Sequence, residues 1–531
     1  MIFLIKKFLF LVPFFISSFL VIFFTKDVLP EISFFEGLKN KIFITYSFYF
    51  WLIILINVIF LKILLNIKKE KHIRGSKLLT ENQFSQLIKK RFKNRTDNFK
   101  NFDKSKKIEI PQEFQSTHFF AIGSTGTGKT SLINHYLSHI RENNEKAIIV
   151  DINGEYYKKF GKKNDVILSA TDTRSPKWDF SCEEMIPSEV VSEFLIPSTG
   201  SNNAFWWKSA RIVLAELLEE KKTALEIAKA LSTENGFRDS ISPFALNVLG
   251  KNGSTQEAGV LGSIISDLTF LFFLADHNEK NFTQQEFSVS KWASDETDKR
   301  WLFLPILDTD IAVFSPLLRV WVNSVFFSLL QSTTEKEKIK INIILDEIAS
   351  ISKLELLPKG LERLRKYGGK IFLGAQSVSQ IMEIYGEKQT RNILSNLGNK
   401  FIFRPSENWE AKELSDFLGD SEIMALSEGT QKGDKISKSE NLSKKITKLI
   451  LPSELKTLKT GEFYLSVPEM NPVKSTVILG NFPEKNPSIK QFYRKKKKKI
   501  DPINDNMETG ETEEKDPFLD DLQEEVLSIL Q

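Results

Sequence analysis

Eight residues, Gly123-Ser-Thr-Gly-Thr-Gly-Lys-Thr130, constrain this chain more than any other segment. The apolar run His118-Phe-Phe-Ala-Ile122 precedes them and predicts a strand. Ser131-Leu-Ile-Asn-His-Tyr-Leu-Ser138 follows and predicts a helix. A glycine-rich turn between strand and helix lets backbone N–H groups approach a phosphate, and the helix N-terminus adds the positive end of its dipole. In that geometry Gly123, Ser124, Thr125, Gly126, Thr127 and Gly128 form a cradle. Lys129 reaches the β- and γ-phosphates, and the Thr130 hydroxyl ligates Mg²⁺. The segment predicts binding of ATP or GTP.

A second motif supplies acids. Lys340-Ile-Asn-Ile-Ile-Leu345 has the continuous apolar pattern of a buried strand and ends in Asp346-Glu347. Asp346 suits the carboxylate that stands on the Mg²⁺ shell, and Glu347 suits the group that orients or deprotonates an attacking water. An Asp-Glu helix start after a strand has the same look, but the phosphate loop upstream favours the catalytic reading. More than 200 residues separate the two motifs. A minimal nucleotide-binding unit does not need so many, so a further domain is inserted between them.

The N-terminal region predicts a membrane anchor. Phe8 to Phe24 is uncharged, and Ile42 to Leu65 carries one charge, Lys62. At about 1.5 Å per residue the two runs extend roughly 25 and 36 Å, matching a bilayer core of about 30 Å. Lys6 and Lys7 precede the first run, and Lys62, Lys68, Lys69, Lys71, Arg74 and Lys77 cluster at or after the end of the second. The positive-inside rule then puts both flanks, and the body that follows, in the cytoplasm. A cleaved signal peptide is the rival reading of the first run. No small-residue cleavage site follows it, and a second span does. Cys182 is the one cysteine, so no intrachain disulfide can form, which suits a reduced cytosolic body. No Cys/His cluster has metal-binding spacing. A net charge of +5 neither requires nor excludes nucleic acid.

Strand patterns recur at Lys146–Val150, Val166–Leu168, Arg300–Leu307, Lys370–Gly374, Lys400–Phe403, Phe463–Val467 and Thr476–Leu479. Between Glu183 and Phe287 the apolar residues instead fall at helical spacing, as in Ile212, Leu214, Leu217 and Leu218. The expected fold class is α/β with an all-α insertion. The expected domains are a transmembrane hairpin (1–66), a juxtamembrane linker (67–114), a nucleotide-binding domain (115–182 and 288–490), the insertion (183–287) and a charged tail (491–531). Gly429 to Lys445 is polar and predicts a mobile loop.

Asp151-Ile-Asn-Gly-Glu155, Trp206-Trp-Lys-Ser-Ala-Arg211, Asp346-Glu-Ile-Ala-Ser350, Gly374-Ala-Gln-Ser377 and Ile384-Tyr-Gly386 occur in this order. With the phosphate loop and the helical insertion, the set resembles the conjugative type IV coupling proteins of the TraD/TrwB kind, over about residues 115–490. The resemblance implies a RecA-like P-loop NTPase and ATP with Mg²⁺ as its cofactors. It implies a homo-hexamer around a channel under the inner membrane. It also implies DNA, the relaxase or relaxosome, and type IV secretion channel components as partners. Gln376 corresponds to the family glutamine that senses the γ-phosphate or the water, and a polar strand end is its plainer reading. Arg365 and Lys388 match family positions for a cation supplied by a neighbouring subunit, an effect worth roughly 10³–10⁵ in turnover. A solvated helix face is the plainer reading of both.

Trp206, Trp207, Lys208 and Arg211 suit either base stacking with phosphate contact or helix packing. Past Arg494-Lys-Lys-Lys-Lys-Lys499 the tail turns acidic. It closes with Phe518, Leu519, Leu522, Val526, Leu527 and Leu530, a stripe that suits either a docking peptide or a disordered end. Two other functions fit the same motifs: a DNA pump of the FtsK/HerA clan, and a receptor that recruits effector proteins.

Overall fold

A computed structural model describes residues 71–92, 110–198, 204–232, 236–281, 284–331, 340–431, 437–480, 482–487 and 489, with Trp51, Leu52, Ile54 and Leu55; of residues 425–442 it describes the backbone alone. The first predicted membrane span and the tail from 490 onward lie outside the described residues, as does nearly all of the second span. The chain divides into two units, Met1–Lys71 with Met424–Lys444, and His72–Ile423 with Lys445–Gln531. The second unit carries the nucleotide motifs.

The strands are β1 (Lys71–Gly75), β2 (Phe119–Ile122), β3 (Lys146–Ile152), β4 (Val166–Ile167), β5 (Leu302–Ile306), β6 (Ile341–Leu345), β7 (Gly369–Ala375), β8 (Asn399–Ile402), β9 (Asp420–Gln431), β10 (Ser437–Lys448), β11 (Glu462–Ser466) and β12 (Val473–Thr476). Nine of them form one sheet in the order β12-β11-β8-β2-β7-β6-β3-β5-β4. From β8 to β4 every pairing is parallel, and β11 and β12 add antiparallel edges. Parallel strands joined by helical crossovers are covered on both faces, so they are apolar throughout rather than alternating with polar residues. β2, β5, β6 and β7 are buried at every position.

The side chains still alternate between two cores. Phe120, Ile122, Ile148, Val150, Ile343 and Leu345 face one; Phe119, Ala121, Ala147, Ile149, Ile344 and Phe372 face the other. The second core takes Leu132, Ile133, Tyr136, Leu137 and Ile140 from the helix Lys129–Glu142. The first core takes the helix Ile311–Gln331. That helix is long and apolar enough to cross a membrane, yet it is mostly buried inside the protein.

Between β4 and β5 the chain runs through the helices Ser188–Leu195, Ala204–Glu220, Ala224–Ser232, Pro243–Leu249, Thr255–Leu268 and Phe270–Lys280, with no strand among the described residues. Glu183 fastens both chain crossings of this region. Its buried carboxylate accepts from the Trp178 indole N–H (2.8 Å) and from the backbone N–H groups of Val289 (2.7 Å) and Ser290 (2.9 Å). Arg319, buried in Ile311–Gln331, donates to the carbonyls of Phe194 (3.2 Å) and Leu195 (2.5 Å) and to Asp267 (3.0 Å).

The polar stretch Gly429–Lys445 departs from expectation. Among the described residues, Gly429–Gln431 end β9 and Ser437–Lys445 belong to β10, and these two strands with β1 make a three-stranded sheet of order β1-β9-β10. Backbone pairing needs no apolar side chains, so a strand pair without an apolar face leaves little trace in composition.

His118 opens β2 in a left-handed conformation (φ 62°) and is buried. Its Nδ1 accepts from the Ile371 N–H (3.1 Å), so the proton sits on Nε2, which donates to the Leu361 carbonyl (3.1 Å). Burial pushes its pKa down to about 4. A base with a depressed folded pKa binds protons in the unfolded chain first. Its contribution is therefore complete above pH 6.5 and is lost as the pH falls towards 4. Between pH 7.5 and pH 5 this residue alone should remove about 2 kcal/mol. His118→Gln is expected to melt lower than wild type at pH 7.5 and to close much of that gap at pH 5. Paired thermal melts at the two values check this.

Candidate functional site

The site is laid out by register. Ile122 of β2 pairs with Ala375 of β7, Leu373 of β7 with Leu345 of β6, and Leu345 with Val150 of β3. The residues that leave the carboxyl ends of β2, β7 and β6, Gly123, Gln376 and Asp346, are therefore neighbours in this row, with Asp151 near the end of β3 beside them. Strands lie about 4.8 Å apart, so the row spans about 15 Å. Gly374 permits the closest approach. A Cβ there would come within 1.9 Å of the Asp346 carbonyl oxygen.

The phosphate loop turns through glycines at φ 74° (Gly126) and 114° (Gly128), values that favour a residue without a Cβ. Gly128 caps the helix Lys129–Glu142, as a loop wrapped around a helix N-terminus requires. Ser124 is fixed by its N–H (2.9 Å) and its hydroxyl (3.1 Å), both donating to the Arg404 carbonyl. The Thr127 hydroxyl donates to the Ser124 carbonyl (2.7 Å). The Thr130 side chain is exposed on the first turn of the helix.

The Lys129 side chain is buried. Its ammonium donates to the carbonyls of Gly123 and Ser124, the latter at 3.1 Å. Burial lowers its pKa, and the charges of Asp346, Glu347 and Glu410 oppose that shift. Burial raises the pKa of all three acids. Three carboxylates share one ammonium, so a cation would offset the further negative charge that a nucleoside triphosphate brings. The exposed Thr130 hydroxyl and the Asp346 carboxylate are an all-oxygen donor pair of the kind Mg²⁺ takes, so these residues fit the ion. Thr130 and Asp346 would hold the cation, which would supply charge neutralisation beside the phosphates.

Gln376 joins the loop to the acids. Its Oε1 accepts from the Thr125 hydroxyl (3.1 Å), and its amide also hydrogen-bonds the Glu347 carboxylate. Glu347 Oε1 is buried and has no hydrogen-bond partner. A basic carboxylate oxygen left open beside a phosphate loop is able to take a water and its proton.

Arg365 and Lys388 are not brought to this cluster. Arg365 is exposed just before β7, near enough to His118 for its charge to help depress that imidazole. His118 and Gly123 lie five residues apart along β2, about 16 Å at 3.3 Å per residue. Lys388 begins the helix Glu387–Asn396, also exposed. That helix lies beside Leu357–Arg363, where Asn392 donates to Glu362 (3.2 Å). Trp206 and Trp207 are partly buried against the core. Trp206 packs on Gly259, and Arg211 stands 4.6 Å from the Trp207 ring while bonding Glu355 (2.9 Å).

Two neighbours of the site carried no assigned role in the sequence. Glu410 is buried, and its Oε1 accepts from the Val378 N–H (2.9 Å), at the start of the helix that follows Gln376. Its signal is faint: Ala411, Leu414 and Leu418 put an apolar face beside it. Tyr156 donates its hydroxyl to Asp346 (2.5 Å) and comes immediately after the motif Asp151–Glu155.

A family described as the type IV secretion-system coupling protein DNA-binding domain matches residues 104–478. The chain is 22% identical to coupling protein TraD of Escherichia coli over 422 residues, which is 76% of this chain and 57% of that protein. It thus spans little more than half the length of that relative. The solved bacterial conjugative coupling protein TrwBdeltaN70, in its unbound form, aligns with a TM-score of 0.65 at 21% identity, over 78% of this chain and 97% of that one. The plasmid coupling protein TrwB in complex with ADP and Mg²⁺ aligns with a TM-score of 0.64 at 21% identity, over 80% and 98%. These likenesses give the same α/β, RecA-like fold.

Glu347→Gln keeps the shape of the side chain and removes the carboxylate. It is expected to bind nucleotide as wild type does while hydrolysis falls at least about 100-fold. Lys129→Ala is expected to lose nucleotide affinity itself. Equilibrium binding of a fluorescent nucleotide beside a phosphate-release assay separates the two outcomes.

Proposed function

The chain belongs to the type IV secretion-system coupling proteins, and from that premise we propose that it is an inner-membrane ATPase which recruits relaxase-bound DNA and drives its transfer into a type IV secretion channel. The observation that carries this reading is the convergence of Lys129, Asp346, Glu347 and Gln376 on the carboxyl ends of adjacent parallel strands. Ligands of open α/β sheets bind at that edge.

In this reading the loop Gly123–Thr130 holds the ATP phosphates, and Thr130 and Asp346 hold Mg²⁺. Glu347 takes the proton of the attacking water, and Gln376 reports the γ-phosphate to Glu347 through its bond to Thr125. Arg365 and Lys388 act in trans in a homo-hexamer. Their exposed positions away from their own phosphate loop support that role. The residues of 1–66 anchor the ring as a two-helix hairpin, with the body in the cytoplasm and 67–114 as linker. The 183–287 insertion receives cargo, and the tail beyond 491 docks a relaxosome component. DNA contact by such a ring is electrostatic and sequence-independent, which makes it salt-sensitive.

Two measurements on the full-length protein in nanodiscs test the proposal. ATP turnover should rise with single- or double-stranded DNA, fall as salt is raised, and vanish in Lys129→Ala. Turnover indifferent to DNA would move the reading to a receptor for protein effectors. Arg365→Ala should bind ATP and assemble but not turn over. Mixing it with Lys129→Ala subunits should restore part of the activity, because each variant supplies what its neighbour lacks. Wild-type turnover by Arg365→Ala alone would end the role in trans.

A further inference from the structure

Asp346 is held by a neighbour that is itself held at both ends. Tyr156 is buried and donates its hydroxyl to Asp346 Oδ2 at 2.5 Å. It lies in the short helix Glu155–Phe160, which starts at the carboxyl end of β3, next to β6 in the sheet. Asp151, the fully buried acid on β3, caps that helix with both oxygens. Oδ1 accepts from the Tyr156 N–H (2.8 Å) and Oδ2 from the Tyr157 N–H (2.7 Å). The turn between them is left-handed at Asn153 (φ 60°) and Gly154 (φ 66°). It is pinned by the Asn153 N–H on the Ile306 carbonyl (2.7 Å) and by the Asp308 N–H on the Asn153 side chain (3.2 Å).

At the other end the Asn486 amide donates to the carbonyls of Tyr157 (3.0 Å) and Gly161 (2.8 Å). The Tyr157 ring meets the edge of Phe303 at 5.3 Å. A phenol on so constrained a backbone does not follow the carboxylate. It fixes where the carboxylate stands.

We infer that Tyr156 is a positioning residue for the cation of the nucleotide site. Its hydroxyl occupies one oxygen of Asp346 and sets the rotamer in which the other is offered to Mg²⁺, while Asp151 acts through the helix to hold Tyr156 in place. The inference rests on the reading of Asp346 as the Mg²⁺ carboxylate. Partners that orient a metal-binding side chain are worth about 10- to 100-fold in metal affinity.

The test is equilibrium binding of a fluorescent ADP analogue to the full-length protein, in EDTA and across a Mg²⁺ titration. Tyr156→Phe keeps the ring and removes the hydroxyl. Its affinity in EDTA should equal that of wild type, and the Mg²⁺ concentration for half-maximal tightening should rise about ten-fold. Asp151→Asn has one oxygen for two N–H groups and should shift the curve in the same direction. Asp346→Asn should lose the Mg²⁺-dependent tightening. A Tyr156→Phe curve that superposes on wild type while Asp346→Asn is flat overturns the positioning role and leaves the reading of Asp346 standing. Equal loss of affinity with and without Mg²⁺ in Tyr156→Phe also overturns it, since that marks a structural role. An Asp346→Asn curve like wild type removes both.

Discussion

Parallel pairing of β2, β7, β6 and β3 is the constraint from which the site follows. Each pairing is fixed by a register, and the registers put Gly123, Gln376 and Asp346 one step beyond the last paired positions of β2, β7 and β6, beside Asp151 near the end of β3. A slip of one residue would move the side chains of a strand to the opposite face, and the two apolar cores forbid that. The close contact at Gly374 tightens the constraint, because only a residue without a Cβ lets β7 pass the Asp346 carbonyl. The chemistry of the site is thus a consequence of sheet packing rather than of loop conformation.

The electrostatics of the site work against the fold. Three acids and a lysine share a buried edge, and burial raises the pKa of each acid and lowers that of the lysine. Desolvated charge of this kind costs stability unless it is paired. The sheet keeps it in place with hydrogen bonds from backbone and from Tyr156, Gln376 and the N–H of Val378.

The helical region is tied to this machinery by polar contacts. Just past Glu347 the chain makes the short helix Ile348–Ile351. It then presents Lys353 to the Ser198 carbonyl (2.8 Å) and Glu355 to the Ser198 N–H (2.5 Å) and to Arg211 (2.9 Å). Ser198 and Arg211 belong to the helical stretch, Glu347 to the nucleotide site.

The phosphate loop, the acid pair, the alternation of strand and helix, and the helical run between the motifs are all legible in the residues alone. Each is a local pattern: glycines at turn positions, a continuous apolar strand ending in acids, a change of apolar period from strand to helix. β12 was the loosest strand, placed at Thr476–Leu479 by its apolar residues, whereas pairing with β11 put it at Val473–Thr476. The β9 and β10 arms were missed because backbone pairing between polar residues has no apolar period. Only the tertiary structure decided that Gln376 stands between Thr125 and Glu347, that Glu410 comes to the lysine, and that Tyr156 reaches Asp346 across 190 residues of chain. Those contacts depend on strand order and register, which are set by long-range packing, and no local pattern of residues encodes which strand lies beside which.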